Sequence, residues 1–207
     1  MEFRQKETLA SIFLFVLAAC YVVFQAIKEV DHIKSWNALL WIILLFGAFQ
    51  AIGKSFLQNQ KGLRLYLYTT VLPTHFIVAK LLYNVLFMVI LGLVGFVVHR
   101  VFLGADLLEG VRLGRYLVSV VSGAIGFAGL LTLISAIAGQ SDGSSGLTSI
   151  LGLPVSIPLI LIIMNLTSSL FVGQAYTDFL VNLSFLWIMN LGLMALTVLL
   201  FPYLWTD

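Results

Sequence analysis

The chain has 207 residues, 61% of them hydrophobic and 10% charged, with a formal net charge of +2 and a single cysteine. A soluble globular chain carries about 25% charged residues, so this composition suits lipid rather than water, and residues 1–207 read as one transmembrane domain. The basic residues are scattered and few, which gives no nucleic-acid surface, and one cysteine excludes an internal disulfide or a CxxC pair.

Six apolar runs fill the sequence: Leu9–Ile27, Trp36–Gly53, Phe76–Val98, Tyr116–Ala138, Ile150–Val172 and Phe179–Leu200. A bilayer core of about 30 Å needs ~20 residues of helix, and each run meets that length or falls just short. The expectation is an all-α membrane protein with six transmembrane helices and both termini on one side. Charge barely orients it. Arg4, Lys6, Lys54, Lys61, Arg64 and Lys80 fall on the N-terminal side, against Lys28, Lys34, Arg100, Arg112 and Arg115 on the other.

Within span one, Leu17-Ala18-Ala19-Cys20 has the look of a lipoprotein cleavage site. The apolar run continues through Tyr21–Ile27 to full spanning length, whereas a signal peptide is shorter, so an intact helix is favoured. A polar loop, Lys28–Ser35, leads to Trp36 and Trp41 at the entrance of span two, which read as interfacial tryptophans. The connection Lys54–His75 is too long for a simple turn. Phe56, Leu63, Tyr66 and Leu67 share a face at helical spacing, with Lys61 and Arg64 beside it. Leu63–Tyr68 also alternates as a strand does, but beside a membrane a helix satisfies its own backbone. It reads either as an interfacial helix on lipid headgroups or as a docking element for a soluble partner.

Pro73 precedes span three, which carries Lys80 near one end and closes at His99-Arg100. A loop of mixed charge follows, with Asp106, Glu109, Arg112 and Arg115. Span four holds Gly123, Gly126 and Gly129, small residues that let membrane helices approach closely. Gly139–Gly146 resembles a phosphate cradle only superficially, because it lacks the lysine of a Walker A loop. Span five contains Pro154 and Pro158 within an apolar run; each removes a backbone donor and clashes one turn back. That pattern means either a packing kink or a hinge lining a translocation route. Asn165, Thr167 and Ser168, further along, are expected to hydrogen-bond to neighbouring helices.

Self-sufficient chemistry is missing. No Asp, Glu, Lys, Arg or His lies deep within a span, which argues against an ion-coupled transporter. The two halves also lack the matching broken helices of an inverted repeat. No Ser–His pair, Asp pair or HExxH suggests a hydrolase, so catalysis is not expected. His32, His75 and His99 sit near span ends and read as solvated interfacial histidines rather than metal or haem ligands.

Two segments carry a family resemblance. The first is the Lys54–Asn84 stretch, with its glycine, short apolar run and proline before Val78-Ala79-Lys80. The second is Leu151-Gly152-Leu153-Pro154-Val155-Ser156-Ile157-Pro158-Leu159-Ile160. Together with span number and length, these resemble the CcmB family, the haem exporter B permeases of cytochrome c maturation. The resemblance implies a six-helix ABC-2 type permease in the bacterial inner membrane, with both termini cytoplasmic. Residues 54–75 would then hold a coupling helix, with Lys61, Gly62, Leu63, Arg64, Tyr66 and Leu67 against a CcmA-like ATPase that alone handles ATP. Pro154 and Pro158 would shape a moving helix. Implied partners are a CcmC-like haem-handling membrane protein, a haem chaperone (CcmE) and a second permease copy or paired permease, with haem as the possible substrate. Arg64 stands where relatives often carry an acidic residue, so an electrostatic docking groove should differ to match. Trp36, Trp41, Trp187 and Trp205 are scattered and form no Trp-rich haem motif. The alternatives are an ABC-2 permease for a lipid or drug, and a non-transporting scaffold for haem-handling proteins.

Overall fold

The structure is a computed structural model that describes residues 2–26, 33–53, 71–104, 112–139, 145–171 and 175–205. Among these, every regular element is an α-helix: α1 (Glu2–Ala26), α2 (Ile33–Ile52), α3 (Pro73–Leu103), α4 (Leu113–Ala138), α5 (Ser145–Phe171) and α6 (Tyr176–Trp205). Five of them, α2 to α6, are long and apolar enough to cross a bilayer, while the apolar stretch assigned to α1, Ala10–Ala26, is shorter. The fold is that of an all-helical, multi-pass membrane protein.

Most helices overrun the apolar stretches read from sequence. Pro73 sits in the first turn of α3, where a missing N–H removes no helical bond, so the helix starts there rather than after it. With 31 residues, α3 is about 46 Å long, well beyond the hydrocarbon core. Lys80 and Arg100, twenty residues apart on α3, are separated by about 30 Å of helix, which matches the core thickness. Gly104 ends α3 with φ of 92°, a conformation that glycine alone adopts cheaply.

Side-chain registers fix the topology. Phe13 meets Phe87, Val16 lies under Gly95 and Tyr21 meets Phe102, so α1 and α3 run parallel. Trp36 meets His99 while Leu91 lies over Gly47, so α2 and α3 run antiparallel. Asn84 pairs with Thr132 across the antiparallel α3–α4 contact, and Phe76 stacks on Phe201 at the start of α3 and the end of α6. Direction therefore alternates from helix to helix. The first residues of α1, the last of α6 and the ends joined by residues 54–70 share one face of the bundle, called here the terminal face.

Helix α4 is the hub, packed on α2, α3, α5 and α6. Its small residues allow this, as their spacing predicts. A Cβ on Gly123 would stand 2.6 Å from the Trp41 ring, and one on Gly126 would stand 2.6 Å from Asn190 Oδ1. Without a hydrophobic drive between helices in lipid, such close backbone approach is what holds them. Helices α5 and α6 form the outside, with Ile150, Leu161, Val181, Ile188 and Leu199 turned outward.

Candidate functional site

A buried polar cluster lies near the face opposite the terminal one. It is built from the first turns of α2, the first turn of α4 and the end of α5. The Asn37 amide donates to Thr167 Oγ1 at 2.8 Å and to Ser168 Oγ at 3.3 Å, while its Oδ1 accepts from the Tyr116 hydroxyl at 2.8 Å. Trp41 Nε1 donates to the same Thr167 oxygen at 3.2 Å, one helical turn on from Asn37. Thr167 in turn donates to the Ile163 carbonyl at 2.8 Å. Its oxygen thus accepts two bonds and donates one, which uses its full capacity. Asn37, Trp41, Tyr116 and Thr167 are all fully buried, where an unmade bond is expensive. Chemically the group is a tie between α2, α4 and α5. It holds no nucleophile paired with a base.

Beside it stands an aromatic cluster around Trp36. The indole meets the rings of His99, Phe96 and Tyr116 at centroid distances of 4.6, 6.3 and 5.9 Å. His99 Nε2 lies 3.0 Å from the Trp36 carbonyl oxygen. A carbonyl only accepts, so Nε2 carries the proton and Nδ1 is left with its lone pair. That Nδ1 faces Cys20 Sγ at 4.0 Å. At the margin of this end, the Arg115 guanidinium sits 4.8 Å over the Tyr176 ring, a favourable cation–π contact.

Three expectations need correction. Trp36 and Trp41 are not interfacial anchors: both are wholly buried, because α2 is enclosed by α3, α4 and α5 at this level. His99 is near a helix end but is not solvated; α1 and α2 cover it, and its exposure is 0%. Of the span-five polar residues, Thr167 and Ser168 bond across helices as expected, whereas Asn165 faces outward.

The other site residues fall as follows. Lys61, Gly62, Leu63, Arg64, Tyr66 and Leu67 lie outside the described residues. Pro154 and Pro158 lie in α5, which runs helical through both, and both face outward. They therefore border no route through the middle of a single chain. Pro154 cannot donate to the Ile150 carbonyl, nor Pro158 to that of Pro154; nearby, Ser156 Oγ donates to the Leu153 carbonyl at 2.8 Å. Sequence reasoning missed Asn37 and Tyr116. The available signal was an asparagine inside an apolar run, which must find a partner in a membrane. No family model, curated protein or solved structure matches the chain.

Proposed function

We propose that this chain is the membrane permease subunit of an ABC transporter of the ABC-2 type, acting in haem export and cytochrome c maturation. It spans the bacterial inner membrane six times, with both termini cytoplasmic, and depends on a separate CcmA-like ATPase. The cytoplasmic connection 54–75 docks on that ATPase through Lys61, Gly62, Leu63, Arg64, Tyr66 and Leu67. A CcmC-like protein and a second permease copy complete the assembly. ATP hydrolysis serves haem delivery or release of the haem-loaded chaperone.

One observation carries the coupling argument. Helix α2 leads into the connection at Ile52 and is hydrogen-bonded at its other end to α5, through Asn37 and Trp41 to Thr167. A packed helix transmits displacement as a rigid rod, so a push on the connection reaches the two-proline helix without needing charges in the membrane. Gly152 of α5 also packs against the Phe49 ring of α2, which places Pro154 and Pro158 between two points of attachment. Their outward position suits a pathway formed between two copies, with α5 bending at the prolines.

The test is purification from the native membrane in mild detergent, followed by identification of co-purifying proteins and assay of ATPase stimulation. An ATPase with a Walker A motif and a haem-handling membrane protein are expected. Leu63→Asp should abolish stimulation while leaving the helices folded. Normal stimulation in a well-expressed variant would refute the docking role. An ATPase without haem dependence would reopen the substrate, and cytochrome assembly with an ATPase-dead partner would favour the scaffold.

A further inference from the structure

We propose that Cys20 and His99 form a two-coordinate site for a soft monovalent cation, cuprous copper in a cell. This is independent of the permease reading. The two side chains come from parallel helices and meet near the face opposite the termini, with Sγ 4.0 Å from Nδ1. Both are wholly enclosed.

Three features point to a metal rather than to packing alone. First, the His99 ring is prepared as a ligand. Its Nε2–H is committed to the Trp36 carbonyl at 3.0 Å, the outer-shell bond that fixes tautomer and ring orientation in metal-binding histidines, and its Nδ1 lone pair is directed at the sulfur, whose thiol proton it accepts in the metal-free pair. Second, the spacing leaves room for one ion between the two donors and disfavours a tetrahedral one. With metal–sulfur and metal–nitrogen bonds of about 2.3 and 2.0 Å, a 4.0 Å separation opens the angle at the metal to roughly 135°, far wider than tetrahedral. An angle that wide suits an ion content with fewer donors than a tetrahedral site supplies. Third, charge balance selects the ion. Binding replaces the thiol proton: the S–H bond breaks, an S–Cu bond forms and one proton leaves. A cuprous ion bound to thiolate and neutral imidazole leaves the site uncharged, whereas zinc would leave a positive charge where burial penalises it heavily. Thiolate and imidazole are also donors that copper accepts.

The experiment uses the full chain in detergent, reduced and under anaerobic conditions, titrated with Cu(I) against the chromogenic chelator bicinchoninate. The wild type should withhold one equivalent, and Cys20→Ser and His99→Gln should each lose it. Copper-edge X-ray absorption of the wild type should show one sulfur and one nitrogen and no further donors; this readout stands even if the variants fold poorly. Overturning results are a wild type that leaves all copper with the chelator, so that the pair is a thiol–imidazole hydrogen bond only. Equal retention by Cys20→Ser, or a copper shell of three or more donors or without sulfur, would likewise defeat the assignment.

Discussion

The amide of Asn37 donates to the hydroxyl of Thr167 across 2.8 Å, joining residues 130 positions apart in the chain. The same oxygen receives the Trp41 indole N–H, so the end of α5 is held by two side chains on one face of α2. Nearer the terminal face, α5 meets α2 through Gly152 against Phe49, a contact of shape alone. The polar tie fixes the position of α5 along α2, because sliding by one residue would leave three buried groups without partners. Apolar packing alone tolerates such slippage.

That tie should be measurable. Asn37→Leu preserves side-chain size but leaves the Tyr116 hydroxyl and the Trp41–Thr167 pair with one partner fewer. A loss of about 1–3 kcal/mol is expected where buried groups go unsatisfied, reduced toward ~1 kcal/mol if the unfolded chain finds partners in the micelle. Unfolding in mixed micelles reads it. Thr167→Val should cost a similar amount, and the double variant less than the sum, since both remove the same bond. Additive losses would mean that the two residues do not act together.

The glycines of α4 divide into two kinds. A methyl at Gly123 would stand 2.6 Å from the Trp41 ring and 3.1 Å from Ile163, whereas at Gly129 the nearest atom is 3.6 Å away. Gly123→Ala should therefore destabilise by about 1–3 kcal/mol, the usual cost of overpacking. Gly129→Ala should be neutral or slightly stabilising, because alanine is the better helix residue by up to ~1 kcal/mol. Equal behaviour of the two variants in thermal unfolding would contradict the packing described for α4.

Much of this bundle is legible in the sequence, for a simple reason. Apolar length marks a helix in lipid, and the spacing of Gly123, Gly126 and Gly129 marks the helix that others approach closely. Interior and exterior are harder to read. In a soluble protein hydrophobicity separates them, but here Trp36 inside and Leu161 outside are both apolar. Their fate depends on which helices are neighbours. Trp36, Trp41 and His99 read as interfacial from sequence for the same reason, since position along a helix gives depth in the membrane but not enclosure by other helices. Asn37 and Tyr116 do not stand out in the sequence because a polar group near a helix end has water as its default partner. Only the fold shows that α4 and α5 replace it.

Cys20 offers a quick check on both topology and processing. Its sulfur is enclosed between α1 and α3 beside His99, so N-ethylmaleimide should label it slowly or not at all in the native protein and fully after denaturation. The packing of α1 on α3 on both sides of Cys20, through Phe13 and Tyr21, requires an uncleaved chain at that position and a thiol without lipid. Mass spectrometry of the purified protein decides this. A diacylglyceryl adduct on a Cys20 that has become the first residue would mean that residues 2–19 of α1 are gone, and would overturn the packing of that helix on α3.

Pro154 and Pro158 give the sharpest separation of hinge from scaffold, because stability and activity should move in opposite directions. Both prolines face outward, so replacing them with alanine removes little packing. It returns donors to the carbonyls of Ile150 and Pro154 and relieves the clash one turn back. Proline costs a helix interior about 3 kcal/mol relative to alanine, although this helix is already fitted around both rings, so a smaller gain is expected. Pro154→Ala/Pro158→Ala should thus unfold at higher temperature in detergent. If α5 must bend during the ATPase cycle, the same variant should support less cytochrome c assembly while still binding the ATPase. Raised stability with unchanged assembly would remove the hinge role. A fall in both would show that the prolines shape the resting packing of α5 on α2 and α4 rather than its motion.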